Sequence, residues 1–157
     1  MGQQQLLLVI LVTILVGIAT VVAINVFGTA AEQGNRDAVR QDLLQAAAGA
    51  QAIWTRPEQL GGAGGDFGNL DDDELFSFLG IPGSLNAAGD ALTNENAVYT
   101  IVSAAGNTLI MQAVPASWQN FVSLEVERRD NPAAGEDRWR VAIDDGLADP
   151  VPAPTPL

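Results

Sequence analysis

The sequence predicts an α+β fold in which one long N-terminal helix packs on a four-stranded antiparallel β-sheet. Three observations predict this fold: an uncharged apolar run near the N terminus, a continuous stretch without proline up to Pro57, and alternating strand patterns towards the C terminus. The predicted segments are a stem helix (1–55), a Gly-rich connector with a short helix (56–95), an antiparallel β-sheet head (96–146) and a Pro-rich tail (147–157).

The apolar run extends from Leu6 to Phe27 and contains no charged residue. As a helix rising about 1.5 Å per residue it would cover about 33 Å, enough to cross a hydrocarbon core of about 30 Å. Strands are much shorter than this run, so its length favours a helix. A cleaved secretory signal is an alternative, but the run exceeds the usual apolar region and MGQQQ carries no basic residue. An ordinary single-span membrane anchor stays open.

The helix is expected to continue beyond the apolar run to about Thr55. Its second half is amphipathic, because apolar residues recur there at spacings of three and four. These residues are expected to pack the helix on the sheet: Val39, Leu43, Ala47, Ala50, Ile53 and Trp54. Pro57 should end the helix, since proline disfavours helical geometry at the preceding residue.

Four strands are predicted from alternating apolar and polar residues: Ala97–Ser103, Thr108–Val114, Phe121–Glu127 and Arg138–Ile143. The third strand places Glu125 and Glu127 on its solvent face, opposite two arginines of the fourth. Those arginines are Arg138 and Arg140. Cross-strand ion pairs between them would fix the register of the last two strands.

The connector contains two motifs that could bind ligands. Its Gly-rich loop, LGGAGGDFG, lacks the lysine and the preceding strand of a phosphate-binding loop and is read as a flexible connector. The run Asp71–Glu74 places carboxylates before LFSFLG, as in the first turn of a helix. A Ca²⁺ site is the alternative for this run, but the spacing of an EF-hand is absent, so the helix start is favoured.

Composition narrows the possible functions. The chain has no His, no Cys and no Lys, which excludes disulfides, thiolate metal sites and Ser–His–Asp catalysis. Its net charge of −12 disfavours nucleic acid as a partner. An enzyme would depend on carboxylates alone, and the close pairs Glu125 with Glu127 and Asp144 with Asp145 are read as solvated surface. The prediction is therefore a non-enzymatic protein without a cofactor or metal.

A short polar opening, an apolar span, an amphipathic half and a small β-rich head together resemble the type IV pilin superfamily, including archaeal-type pilins. The opening MGQQQLLLVILV also resembles bacterial pilin-like proteins that have a minimal leader. The resemblance implies cleavage by a prepilin peptidase between Gly2 and Gln3. The leader lacks the usual Lys or Arg, and Leu7 stands where such pilins have Glu. Cleavage and retention of Met1 therefore both stay open.

The resemblance implies a structural subunit of an extracellular type IV pilus-like filament, a helical polymer of this chain associated with cell adhesion. The subunit would lie in the inner membrane before the pilus assembly machinery adds it to the filament. These residues would form the polymerisation helix: Leu6, Leu7, Leu8, Ile10, Leu11, Ile14, Leu15, Gly17, Ile18, Val22 and Phe27. The alternatives are a surface-anchored binding module that never polymerises and a pseudopilin of a type II secretion-like system.

Overall fold

The structure is a computed structural model that describes residues 2–116 and 120–146. Two α-helices and six β-strands follow in chain order: α1 Gly2–Thr55, α2 Asp72–Leu79, β1 Ser84–Leu85, β2 Ala91–Thr93, β3 Ala97–Ala105, β4 Thr108–Pro115, β5 Val122–Arg128 and β6 Trp139–Asp145. Two short 3₁₀ helices, Glu58–Leu60 and Phe67–Asn69, precede α2. The α+β class is confirmed, and the predicted Pro-rich tail lies outside the described residues.

Helix α1 runs without interruption from Gly2 to Thr55, so the single long helix expected from the sequence is confirmed. Pro57, in extended geometry, follows the helix end and leads into the first 3₁₀ helix. The chain divides into two compact units between Gly34 and Asn35. We call the described residues of these units the N-terminal unit (2–34) and the head (35–116 and 120–146).

The head contains a six-stranded antiparallel sheet in the order β1-β2-β3-β4-β5-β6. The four predicted strands correspond to β3–β6, each within about two residues of its predicted bounds. The predicted count of four was wrong, because β1 and β2 lie in the stretch expected to be a connector. These strands are two and three residues long, too short for an alternating pattern to show in the sequence.

The core of the head lies between the helices and one face of the sheet. Its buried side chains come from α1, α2 and the inward positions of the strands, including Val39, Leu43, Leu75, Leu79, Tyr99, Leu109, Met111 and Leu124. Helices α1 and α2 approach closely at Gly49, where an added Cβ would lie 2.6 Å from the carbonyl oxygen of Phe78. Glycine therefore sets the spacing of the two helices at this point.

The last two strands pair in a register that places Glu127 opposite Arg140. The guanidinium of Arg140 lies 3.7 Å from carboxylate oxygens of both Glu125 and Glu127. The prediction that Arg138 would share these pairs was wrong. Arg138 precedes β6, and its carbonyl oxygen accepts a hydrogen bond from the backbone N–H of Arg129.

Candidate assembly surface

The N-terminal unit exposes nearly all of its apolar side chains. Between Leu6 and Phe27, sixteen large apolar residues are exposed, with exposed fractions from 48% at Val12 to 74% at Phe27. All the large residues predicted for the polymerisation helix belong to this set. Isolated exposed apolar residues are ordinary on protein surfaces, but a continuous apolar surface of this extent marks a site of contact with another molecule or a membrane.

Two polar side chains in this surface, those of Thr13 and Thr20, have partners within the helix. The hydroxyl groups of Thr13 and Thr20 donate hydrogen bonds to the carbonyl oxygens of Val9 and Val16, one turn earlier. A hydroxyl that is bonded within its own helix can enter an apolar environment at little cost. The surface is therefore compatible with hydrocarbon or with a packed apolar bundle.

The same segment is long and apolar enough to cross a membrane. The first charged residue of the chain is Glu32, which lies beyond the end of the apolar run. A Cβ added at Gly17 would meet no atom within 4 Å, so the helix surface at this position is open to a neighbour. Gly2 and Gln3, the residues of the predicted cleavage site, lie exposed in the first turn of α1.

The second half of α1 is used differently. Val39, Leu43, Ala47, Ala50 and Ile53 are buried in the core of the head. Trp54, also predicted for this packing face, is half-buried at the edge of the core. Its ring meets that of Trp139 edge-on at 5.6 Å, and the guanidinium of Arg128 stacks 4.1 Å from its centre.

Two polar clusters, neither of them predicted from the sequence, hold the second half of α1 against the sheet within the head. In the first, the guanidinium groups of Arg36 and Arg40 both donate hydrogen bonds to the carboxylate of Asp145 at the end of β6. The bond from Arg40 is 2.7 Å long. The reading of Asp145 as solvated surface was wrong, because its side chain is only 23% exposed and is bonded to both arginines. The sequence offers little signal for this cluster, since Asp145 lies more than a hundred positions after both arginines.

The second cluster centres on Asp42. One oxygen of its carboxylate accepts hydrogen bonds from the Tyr99 hydroxyl at 2.6 Å and from the side-chain amides of Asn94 and Asn96 at 3.1 Å. Burial raises the pKa of Tyr99 well above its usual value, and the hydrogen bond to Asp42 raises it further. The cluster ties α1 to the turn between β2 and β3.

The acidic run that was considered for Ca²⁺ begins helix α2, as favoured from the sequence. Asp72, Asp73 and Glu74 occupy its first turn, after Asp71 at the N-cap position. Across residues 2–116 and 120–146, no group of three or more His, Cys, Asp or Glu side chains is arranged to hold a metal ion.

No protein-family model, curated protein or solved structure matches this chain. Its functional assignment therefore rests on the sequence resemblance and on the surfaces described above.

Proposed function

We propose that this chain is the structural subunit of an extracellular type IV pilus-like filament, in which the N-terminal units of many copies pack together. The observation that carries the proposal is the contrast between a head whose core is already filled and a helix whose sixteen large apolar residues are all exposed. The head has no need of these residues. Their function is intermolecular.

The size of the apolar surface supports this conclusion. Full burial of one Val, Leu, Ile or Phe side chain contributes about 1.5–3 kcal/mol relative to leaving it in water. A helix bearing sixteen such side chains is not stable alone in water and takes a lipid bilayer or other helices as its environment. We infer that it takes the bilayer first and the filament core after assembly.

Polymerisation requires that one contact be repeated without closing on itself, which generates a helical filament. An apolar helix suits this requirement because its surface can contact several neighbours at once. The open surface at Gly17 and the alanines of the run let helices approach closely. Each subunit would bring one acidic head, and like charges on neighbouring heads would leave the apolar helices as the dominant attraction.

A membrane-anchored binding module that never polymerises is the second candidate, and the length of the apolar run favours it as much as the filament. What favours the filament over it is that α1 continues beyond the run without a break, as one helix, into the core of the head. A simple anchor needs no such continuous connection. A pseudopilin of a secretion machine would share all these features and is a variant of the filament proposal.

Electron microscopy of surface appendages, sheared from cells and labelled with antibodies against the head, tests the proposal. A filament subunit should be labelled along the whole length of the appendages, and mass spectrometry should identify this chain as their main component. Labelling confined to the cell envelope, with no labelled appendage, would favour the anchored binding module.

Processing is tested separately by the intact mass of the mature protein. We propose cleavage between Gly2 and Gln3, which would remove Met1 and Gly2 from the mass. A mature protein that retains Gly2 would reject prepilin-type cleavage at this bond while leaving the filament proposal to the microscopy.

A further inference from the structure

Strand β3 has a free edge over its second half. Strand β2 pairs only with Val98–Thr100, whereas β3 continues to Ala105 and pairs with β4 on its other side. In the part of the chain that the structure describes, no strand pairs with Ile101–Ala105 on the β2 side. The second 3₁₀ helix lies against the end of this edge at Ala104 and Ala105, which leaves Ile101–Ser103 open. The pairing with β4 also shifts between Ile101 and Ser103, which marks a β-bulge. Free edges of this kind are templates for another extended chain.

The free edge forms one wall of a groove of about 570 Å³. The turn before β2 also lines the groove, through Ala88, Gly89 and Asp90, as does Gly68 of the second 3₁₀ helix. Leu70 and the start of α2 complete the lining. The open part of the wall, Ile101–Ser103, is about 10 Å long at 3.3 Å per residue, which accommodates about three residues of an extended peptide.

Carboxylates surround this groove. Asp71, Asp72 and Asp73 line it from α2, and Asp90 lines it from the turn before β2. Burial raises the pKa of Asp72, and the negative charges of Asp90, Asp71 and Asp73 raise it further. Among the described residues, no arginine forms an ion pair with any of these four carboxylates. The negative charge of the groove is therefore not neutralised by an arginine of the same chain.

We propose that this groove binds an extended, positively charged peptide segment of another protein, which adds a strand to the free edge of β3. Backbone hydrogen bonds to the edge would supply affinity, and the carboxylates would select Arg or Lys side chains. Apolar residues at alternate positions would contact Leu70, Ile101 and Ala104, which are half-buried at the edge of the core. The site lies wholly within the head and goes beyond the filament function, since it does not involve the N-terminal unit.

The occupant is expected to be another protein rather than a second copy of this chain. The chain has no lysine, and two of its seven arginines, Arg36 and Arg40, are bonded to Asp145. Of the others, Arg128, Arg129 and Arg140 each lie within 4.0 Å of a carboxylate of their own head. A head with this distribution of charge has no strongly basic extended segment to offer its neighbour.

Fluorescence anisotropy with labelled synthetic peptides tests the proposal on the full-length protein in detergent. The probe is a six-residue peptide of alternating Arg and Val, and its charge-reversed control alternates Glu and Val. The Arg peptide should bind, and Asp72→Asn combined with Asp90→Asn should weaken binding about fivefold or more by removing two nearby charges.

The matched control, Asp37→Asn with Asp144→Asn, removes the same charge from exposed positions outside the groove and should change the Kd less than about twofold. Circular dichroism checks that both double variants remain folded.

Two further peptides test strand addition itself. Methylating the backbone nitrogens of alternate residues removes the donors on one edge of the peptide, and the two possible registers are made separately. One register should abolish binding and the other should leave it nearly intact. Equal binding of both methylated peptides and the unmodified one would overturn strand addition, and equal loss in the groove and control variants would overturn the groove as the site. Failure of the Arg peptide to bind at all would overturn the proposal without bearing on filament formation.

Discussion

The N-terminal unit and the head are both rich in apolar residues, but they use them in opposite ways. In the head, Val39 and Leu43 are fully buried, whereas in the N-terminal unit Leu11 is 66% exposed. Charge follows the same division: of nineteen acidic residues only Glu32 lies in the N-terminal unit, which leaves eighteen for the rest of the chain. The difference teaches that the head folds on its own contacts, while the N-terminal unit depends on its surroundings.

The largest expected effect is that of removing the N-terminal unit up to the end of the apolar run. A fragment starting at Gly28 should be soluble and mainly monomeric, because it keeps every buried residue of the core. The full-length protein should require detergent or membrane. Analytical ultracentrifugation of both proteins measures this. An unfolded fragment would show that the head needs the apolar run to fold, which would contradict the conclusion that the head folds on its own contacts.

Within the head, two adjacent leucines of α1 provide a matched pair. Leu43 is fully buried and Leu44 is 55% exposed. Leu43→Ala should destabilise the Gly28 fragment by about 2–5 kcal/mol, since it removes buried methyl groups and leaves a cavity. Leu44→Ala should change its stability by less than about 0.5 kcal/mol. Urea unfolding followed by tryptophan fluorescence compares them, and equal losses would show that the core boundary has been misplaced.

Two glycines of α1 provide a second comparison between a packed and an open position. A Cβ at Gly49 would lie within 3 Å of backbone atoms of both Phe78 and Leu79, whereas at Gly34 it would meet nothing within 4 Å. Gly49→Ala should therefore cost about 1–3 kcal/mol through overpacking. Gly34→Ala should be neutral or stabilise by up to about 1 kcal/mol, because alanine favours the helix. Thermal melts of the fragment should give shifts of opposite sign, or a loss at Gly49 alone.

The smallest effect concerns Tyr99, the only tyrosine of the chain. Tyr99→Phe removes its hydrogen bond to Asp42 and should cost about 1–2 kcal/mol at neutral pH. The pKa of Tyr99 is raised in the folded protein, so above about pH 10 the unfolded chain releases this proton while the folded chain keeps it. Stability of the unsubstituted fragment should therefore fall as pH rises through this range.

Urea unfolding at a series of alkaline pH values checks this dependence, and ultraviolet absorbance follows ionisation of the single phenol. The Tyr99→Phe fragment is the control and should show a clearly smaller decline over the same range. An equal decline in both proteins would show that other groups cause the alkaline instability and that ionisation of Tyr99 does not.

The sequence predicted the long elements of the fold well. The length of α1, its end before Pro57 and the four longer strands all follow from local patterns, and the structure confirms them. The strands β1 and β2 could not be predicted, because the two residues of β1 and the three of β2 show no alternation. The fold class depends on the longer elements, so the α+β prediction was correct although β1 and β2 were not predicted.

The polar clusters and the groove were beyond sequence reasoning for a different reason. Arg36 and Asp145 are neighbours only because β6 is the last strand of the sheet and ends beside α1. Likewise, Asp90 lines the same groove as the first-turn carboxylates of α2, although the turn that carries it lies beyond α2 and β1 in the sequence. Such contacts depend on register and on strand length, which the sequence does not specify locally.

The most direct test of the central claim, that the N-terminal unit is the core of a filament, is electron microscopy of cells expressing Leu11→Asp. One carboxylate costs only about 2.5–3.5 kcal/mol on insertion into a bilayer, so the variant should still be found in the membrane fraction. In a filament core the same unpaired charge would recur in every subunit, and filaments should be lost. Leu60→Asp is the matched control, because Leu60 is a leucine of the head with a similar exposed fraction, 62%, and it should leave filaments intact. Normal filaments of this protein on Leu11→Asp cells would contradict the account.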